Sequence, residues 1–271
     1  MSGEVVAAMA AGEAAGLGVV RVTLRHEGRL NAMSRAMWRQ LRSVFESIQR
    51  STDARCVLVE GAGQAFCAGG DISEYPGFRF DAAQLRDFHE GDVWGGLSAM
   101  RDCDVPIVAR IAGACMGAGV EIASCCDIRI AEAGARFGAP IAKLGFPMAP
   151  REAALVAGAV GDTTARQMLL EAATFGSAEM AQRGFLSRVV EAERLEAEAL
   201  AAALRIAALA PGAARMNKQT LRTFQAQKMP VAPIHQAQAA IETVADPYAY
   251  ADSAEHREGI TAFLAKRAPV F

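Results

Sequence analysis

The sequence predicts an α/β fold that continues into a helical C-terminal region. Up to about residue 190, short apolar runs of strand length alternate with segments whose apolar residues recur at helical spacing. From about Arg151 to Leu264 the spacing is almost entirely helical. The chain has 271 residues, of which 52% are hydrophobic, enough to bury a sizeable core. We therefore predict an α/β core over residues 1–190 and a helical region over residues 191–271.

The first half contains strand-like runs that end at glycine, proline or polar residues. The predicted strands cover residues 19–24, 56–59, 107–111 and 127–131. Ser34 is a suitable N-cap for a helix whose apolar face carries Met37, Leu41, Val44, Phe45 and Ile48. A weaker helical pattern covers residues 81–100, and a loop of small residues at 113–119 leads into a helix over 120–125. The later predicted helices cover residues 163–170, 177–182, 192–209, 213–225, 234–244 and 253–266.

Composition excludes several classes of function. Charged residues make up 21% of the chain and the net charge is −2, so the basic excess typical of nucleic-acid-binding proteins is absent. Glu4 and Glu13 interrupt the Ala/Gly-rich N-terminus, which therefore does not resemble a secretory signal. No run approaches the roughly 20 apolar residues of a membrane span. The six cysteines form no CxxC pair and the four histidines show no metal-ligand spacing, so we expect reduced thiols, a cytoplasmic protein and no metal or cofactor.

Residues 65–72 form the first candidate site segment, directly after a predicted strand. The small residues Ala68, Gly69 and Gly70 let the backbone approach a ligand closely and adopt unusual conformations. Asp71 can cap the helical turn that follows. The same pattern also fits an ordinary strand-to-helix turn.

Residues 111–122 form the second candidate segment, in which the glycine-rich stretch around Ala118 passes from a loop into a helix. The first N–H groups of a helix lack internal partners and, with the helix dipole, attract a substrate oxyanion. Glu121 follows, flanked by Val120 and Ile122. We expect desolvation to raise its pKa and make it a usable acid/base near neutral pH. The alternative is a solvent-facing glutamate on an amphipathic helix.

Four segments, in this order and spacing, resemble the enoyl-CoA hydratase/isomerase (crotonase) superfamily. They read AFCAGGDI at 65–72, PIVARIAGACMGAGVEIASCCDIRIA at 106–131, ARFGAP at 135–140 and AFLAKR at 262–267. The resemblance implies a crotonase-like spiral of ββα units with a helical C-terminal trimerisation region, assembled as a homotrimer or a dimer of trimers. It also implies an acyl-CoA thioester substrate whose carbonyl oxygen is held by the backbone N–H groups of Gly70 and Ala118.

The family's catalytic carboxylates are only partly retained. Glu121 occupies the position of one of the two catalytic glutamates of the hydratases. The second follows the proline of a phenylalanine-glycine-x-proline motif, and here Ile141 follows Pro140. Because isoleucine cannot transfer a proton, either Glu121 acts alone or another side chain supplies the second proton. The candidates for that side chain are Glu74, His89, Asp92 and Glu152.

Coenzyme A contacts are implied by the same resemblance. Arg29 and Leu30 lie where family members contact the nucleotide and pantetheine. Phe263 and Lys266, three apart on a predicted helix, match a pattern that packs on the adenine and reaches a phosphate. The other expected substrate- or CoA-binding residues are Ala68, Asp71, Ile72, Pro140, Ile141 and Leu144.

Two functions remain in view. The first is an acyl-CoA-processing lyase or isomerase that works through a thioester enolate with Glu121. The second is a non-catalytic or weakly active acyl-CoA-binding protein, in which the loss of the carboxylate at Ile141 marks decay of activity. We favour the enzyme, because a binder has no need for a glutamate in a costly apolar setting.

Overall fold

A twisted, mostly parallel sheet forms the centre of the computed structural model, which describes residues 3–227 and 253–271. The sheet has six strands in the order β1-β2-β3-β4-β6-β9, and only the β1–β2 pair is antiparallel. These strands are β1 (Glu4–Met9), β2 (Val19–Arg25), β3 (Cys56–Gly61), β4 (Ile107–Ile111), β6 (Ile128–Glu132) and β9 (Arg188–Val190). A smaller sheet of order β5-β7-β8 contains β5 (Ala114–Met116), β7 (Arg136–Gly138) and β8 (Thr174–Gly176).

Helices connect the strands and cover both faces of the larger sheet. The α-helices are α1 (Glu13–Gly16), α2 (Arg35–Arg50), α3 (Ala82–Arg86), α4 (Trp94–Asp102), α5 (Ala118–Ser124), α6 (Pro150–Val160), α7 (Asp162–Leu170), α8 (Ser177–Gln182), α9 (Ala192–Ala207), α10 (Pro211–Gln227) and α11 (Ala254–Leu264). Short 3-10 turns lie at Ile72–Gly77 and Ile141–Leu144, and a π-helical turn at Asp87–Val93 joins α3 to α4.

The core lies on both sides of the central strands. On one side, α2 buries the face that includes Trp38 and Phe45 against the strands and α4. On the other side, an alanine-rich face of α9 packs on Leu58, Val108 and Ile130. Parallel strands buried on both faces are expected to be mostly apolar, as β3 and β4 are apart from Glu60 and Arg110. The division at residue 190 stays a prediction, although α9 packs directly on the sheet.

The predicted strands and most predicted helices of the described residues are confirmed within a few residues. The Ser34 hydroxyl accepts from the Met37 N–H at 3.2 Å and caps α2, as the sequence indicates. Two predictions are wrong. The loop predicted over 113–119 contains β5, and the all-helical pattern after Arg151 is interrupted by β8 and β9. Three-residue strands are too short to show a period of two. The helix predicted over 234–244 lies outside the described residues.

No single helix within residues 3–227 and 253–271 is long and apolar enough to cross a membrane. Helices α9 and α10 meet that criterion only as a pair, across a bend of 104°. α10 is tied to the core by Lys218, whose ammonium lies 2.8 Å from Asp127 and 3.0 Å from the Val105 carbonyl oxygen.

Arg129 holds the C-terminal end of α5 in place. From β6, its guanidinium donates to the carbonyl oxygens of Ala123, Cys126 and Phe185. Replacing Arg129 by methionine leaves the carbonyl oxygens of Cys126 and Phe185 without this donor, while Ala123 keeps the bond from the Cys126 N–H at 3.1 Å. We expect the free energy of unfolding to fall by about 2–4 kcal/mol, since hydrogen bonds from a charged group contribute about 1.5–3 kcal/mol each. Urea unfolding monitored by circular dichroism measures the change.

Arg166→Met is the matched control for this prediction, because Arg166 makes an exposed ion pair with Asp162 on α7. Exposed pairs of this kind contribute little to stability, so the control should unfold as wild type does. Equal unfolding midpoints for both variants would show that Arg129 is dispensable to the fold.

Candidate active site

Two loops that follow neighbouring strands lie side by side and form the candidate site. The first follows β3 and contains Cys67 to Gly70, and the second runs through β5 into α5. The Cys67 N–H donates to the Ala114 carbonyl oxygen at 2.9 Å, and the Met116 N–H donates to the Cys67 carbonyl oxygen at 2.9 Å. The two segments predicted from sequence are therefore joined by backbone hydrogen bonds.

Gly119, in the first turn of α5, allows this close approach. A β-carbon at residue 119 would lie 2.5 Å from the Cys67 carbonyl oxygen, well inside contact distance. Gly117 also meets the first loop, since a β-carbon there would lie 3.7 Å from the α-carbon of Gly69. The N-terminus of α5 is therefore held directly against the loop that carries Gly70.

The N–H groups of Gly70 and Ala118 have no hydrogen-bond acceptor within residues 3–227 and 253–271. Ala118 is the first residue of α5, where helical geometry leaves the N–H unpaired. Met33 bonds to Gly69 and Asp71 on one side of the Gly70 loop, at 2.8 Å in each case. The peptide bond between Gly69 and Gly70 is trans, so the Gly70 N–H points opposite to the Gly69 carbonyl. The Gly70 N–H therefore points away from Met33.

Glu121 lies in the first turn of α5 and is only 7% exposed. Its neighbours Val120 and Ile122 are fully buried. Burial, and secondarily the charge of Glu152, raises the pKa of Glu121 well above its ordinary value. The solvent-facing alternative is therefore wrong, and the carboxyl holds a proton in a pH range where a surface glutamate is ionised.

The pH dependence of stability follows from the Glu121 pKa. Because the native pKa is raised, the native state binds this proton more tightly than the unfolded chain. The stabilisation is fully present below the unfolded pKa of about 4.3 and is lost as the pH rises through the native pKa. Compared with Glu121→Gln, wild type should lose unfolding free energy as the pH rises. The loss is about 1.4 kcal/mol for each unit by which the native pKa of Glu121 exceeds its unfolded pKa. Urea titrations between about pH 5 and pH 8 measure this difference, and parallel curves for the two proteins would contradict it.

The four candidates for a second proton carrier have different surroundings. Asp92 is bound by Arg35 and Arg39, each at 2.6 Å, and Glu74 accepts from the Arg35 backbone N–H at 2.8 Å. Both carboxylates therefore bind groups of α2 and connect this helix to the segment after β3. Glu152 and His89 instead contact each other, with Oε1 and Nδ1 2.8 Å apart.

Tyr75 is a site residue that the sequence reasoning missed. A β-carbon on Gly70 would lie 2.2 Å from the Tyr75 hydroxyl oxygen, so this hydroxyl lies against the Gly70 backbone. Burial raises the pKa of Tyr75 to about 12, the Arg79 charge opposes the rise, and the charges of Glu121 and Glu152 add to it. In the sequence, the one signal for Tyr75 is its position four residues after Asp71, in the turn that follows the first candidate segment.

The loop that contains Arg29 and Leu30 joins the site beside Gly70. The Ala68 N–H donates to the Leu30 carbonyl oxygen at 3.0 Å, and the Arg29 guanidinium donates to Asp71 at 2.8 Å. Asp71 also accepts from the Ser73 N–H at 3.1 Å and caps the following turn, as the sequence predicts. Leu30 takes a left-handed backbone with a φ of 47°, a strained conformation for leucine that is held by these contacts.

The segment after β7 lies beside the start of α5. The Gly117 N–H donates to the Gly138 carbonyl oxygen at 2.8 Å, which brings the turn that starts after Pro140 close to the site. Ile141 packs against the core and is partly buried, and its side chain offers no carboxylate. Leu144 and Ile72 are both 52% exposed.

One expected CoA contact needs correction. Lys266 does not share a helical face with Phe263, because α11 ends at Leu264. The Arg267 N–H bonds back to Ala262 and Lys266 has a φ of 52°, which is the left-handed closure of a Schellman motif. Lys266 is exposed, and the Phe263 side chain lies outside the described residues.

In the described part of the chain, no cluster of three or more His, Cys, Asp or Glu side chains could hold a metal ion.

Comparisons with known proteins agree with this fold. A family model described as enoyl-CoA hydratase/isomerase matches residues 14–271. A probable enoyl-CoA hydratase of Mycobacterium bovis is 31% identical over 250 residues, which cover 92% of this chain and 93% of that protein. Mevalonyl-coenzyme A hydratase of Beauveria bassiana is 31% identical over 261 residues, 93% of this chain and 91% of that protein.

Solved structures give the same result. The crystal structure of an enoyl-CoA hydratase/carnithine racemase from Magnetospirillum magneticum has a TM-score of 0.84 at 35% identity and covers 94% of this chain and 92% of its own. A putative enoyl-CoA hydratase/isomerase from Mycobacterium abscessus has a TM-score of 0.85 at 27% identity, with 98% of each chain covered. The predicted crotonase-like fold is therefore confirmed, and the chain belongs to the enoyl-CoA hydratase/isomerase (crotonase) superfamily.

Proposed function

We propose that the protein is an acyl-CoA-processing enzyme that stabilises a thioester enolate, with Glu121 as its proton carrier. The observation that carries this proposal is the buried Glu121 carboxyl one turn after the unpaired Ala118 N–H. The Gly70 N–H, on the loop hydrogen-bonded to β5, is unpaired as well within the described residues. Together these N–H groups supply an oxyanion hole for the thioester oxygen.

The proposed site has two chemical tasks, which are to stabilise negative charge and to transfer a proton. When a proton leaves or joins the α-carbon of an acyl thioester, negative charge develops on the carbonyl oxygen. Preorganised N–H donors stabilise that charge, and one such donor typically contributes about 3–4 kcal/mol to the barrier. Glu121 supplies or removes the proton, and its raised pKa suits this task near neutral pH.

Binding of the CoA part is assigned to the loop beside Gly70. Arg29 and Leu30 are exposed where this loop meets Ala68 and Asp71, which supports contacts to the nucleotide and pantetheine. The exposed Lys266 is a further candidate for a phosphate contact. The remaining residues proposed at the cleft are Ile72, Pro140, Ile141, Leu144 and Phe263.

We also propose the assembly and compartment that the sequence predicts. Leu221 and Phe224 on α10 are 62% and 43% exposed, which supports burial in a homotrimer or a dimer of trimers. All six cysteines are buried free thiols, which supports a reducing cytoplasm. The proposed substrate is an acyl-CoA thioester, with no separate cofactor.

A panel of 2-enoyl-CoA and 3-enoyl-CoA esters of increasing chain length tests the enzyme function. Loss or gain of the conjugated thioester absorbance reports hydration or isomerisation. We expect many turnovers per protein molecule with at least one ester. Stoichiometric binding without turnover, across the panel, would instead favour the acyl-CoA-binding protein.

A further inference from the structure

A second buried carboxylate lies close to Glu121. Glu152, in the first turn of α6, is only 3% exposed, and α6 packs directly against α5. Its charge contributes to the raised pKa of Glu121, and both charges act on the buried Tyr75 hydroxyl. The two carboxyl groups thus lie on helices in direct contact, and the Tyr75 hydroxyl lies against the Gly70 backbone.

His89 is the direct partner of Glu152. It comes from the π-helical turn Asp87–Val93, and its side chain is 18% exposed. Its Nδ1 lies 2.8 Å from Oε1 of Glu152, and its ring meets Phe88 edge-on with centroids 5.0 Å apart. With its proton on Nδ1, the imidazole donates to an ionised Glu152 and fixes the orientation of the carboxylate.

The charges around Glu152 are unlike those of a structural ion pair. Asp92 is held by two arginines, whereas no lysine or arginine of the described residues lies within ion-pair distance of Glu152. The groups that face it are His89, Glu121, the Tyr75 hydroxyl and the more distant Arg79. Burying a carboxylate without a lysine or arginine partner is costly, which indicates a role for Glu152 other than stability.

We propose that Glu152, oriented by His89, is the second proton-transfer carboxylate of this site and replaces the one that Ile141 lacks. This inference rests on the proposed enolate function and names its reaction as the addition of water to a 2-enoyl-CoA thioester. Glu152 is the catalytic residue that contacts the water, and His89 is a positioning residue.

The proposed step balances with water as the only co-reactant. Ionised Glu152 takes a proton from water as the water oxygen bonds to the β-carbon. The π electrons of the double bond move toward the thioester oxygen, where the N–H groups of Gly70 and Ala118 hold the enolate. Glu121 then gives its proton to the α-carbon, and the proton on Glu152 returns to Glu121 through solvent. The product is a 3-hydroxyacyl thioester.

Glu152→Gln tests the role of Glu152 through two reactions of the same site. The first reaction is the hydration of but-2-enoyl-CoA and dec-2-enoyl-CoA. The second is the exchange of the α-protons of butanoyl-CoA with deuterium in D₂O, which needs Glu121 and the oxyanion hole alone. We expect hydration to fall by about 10²-fold or more, in line with general acid–base groups. The exchange rate should stay within about tenfold of wild type.

Glu90→Gln is the matched control, because Glu90 follows His89 in the chain and makes an exposed ion pair with Arg151 at 3.0 Å. Both reactions should be unchanged in this control. His89→Phe keeps a ring against Phe88 but removes the hydrogen bond, while His89→Asn restores an N–H donor. We expect kcat for hydration to fall in His89→Phe and to recover in part in His89→Asn, with KM changed little in both.

The possible outcomes separate the role of Glu152 in hydration from the proposed enolate function. Hydration by a folded Glu152→Gln at the wild-type rate overturns the role of Glu152. So does a loss of hydration and α-proton exchange together, because Glu152 would then not be specific to the water. Wild type that exchanges α-protons but hydrates neither ester overturns this inference and leaves the enolate function standing. Wild type that does neither contradicts the enolate function itself.

Discussion

Glu121→Gln is expected to lower the turnover of the best enoyl-CoA ester by about 10²- to 10⁴-fold, the usual contribution of a general acid or base. Glutamine fills the same space, but it cannot release or accept the proton at the α-carbon. Because the Gly70 and Ala118 N–H groups are backbone atoms, the substitution leaves the proposed oxyanion hole intact. The loss should therefore appear in kcat, with KM nearly unchanged.

Ser124→Ala is the control for Glu121→Gln on the same helix. The Ser124 hydroxyl donates to the Val120 carbonyl oxygen at 2.7 Å, one turn behind the site. Its removal changes a polar group of α5 without touching the proton carrier, so turnover should remain within about threefold of wild type. If Glu121→Gln retained wild-type turnover while the protein was folded, Glu121 would not be the proton carrier.

Gly119→Ala is expected to lower kcat/KM by about 10²- to 10³-fold, comparable with the loss of an oxyanion donor. The added β-carbon would lie 2.5 Å from the Cys67 carbonyl oxygen, so α5 and the Gly70 loop must move apart. The two N–H groups then no longer meet at one oxygen. Free CoA, which lacks the thioester oxygen, should bind as tightly as it does to wild type.

Gly158→Ala provides the matched control on the neighbouring helix α6, where a β-carbon meets no atom within 4 Å. Alanine is favoured over glycine inside a helix by about 0.5–1 kcal/mol, so this variant should be at least as stable as wild type and fully active. Steady-state kinetics and calorimetric binding of CoA measure both variants. A Gly119→Ala protein with wild-type kcat/KM would show that the two loops need not approach this closely.

The sequence predicts those parts of the molecule whose signal is local. The α2 helix follows from Ser34 and a regular apolar face, and β3 and β4 follow from short, mostly apolar runs. The burial of Glu121 was also predictable, because its immediate neighbours are apolar on both sides. These features depend on residues close together in the chain.

Contacts between residues that are far apart in the chain could not be predicted in this way. The sequence offered Glu152 and His89 as two of four candidates for the second proton carrier. They are 63 positions apart in the chain, and the fold brings their side chains to within 2.8 Å of each other. Tyr75 reaches Gly70 through a turn that has no sequence period. Lys266 was misplaced because the left-handed closure of α11 occurs at a residue other than glycine.

The carbonyl stretching frequency of a bound thioester tests the central claim most directly. Two N–H donors on one oxygen polarise the carbonyl and weaken its double bond. Isotope-edited infrared difference spectra of [1-¹³C]butanoyl-CoA should therefore show a lower frequency on wild type than in water, and this shift should be lost in Gly119→Ala. A bound carbonyl with the same frequency as in water would contradict the convergence of the Gly70 and Ala118 N–H groups on the substrate.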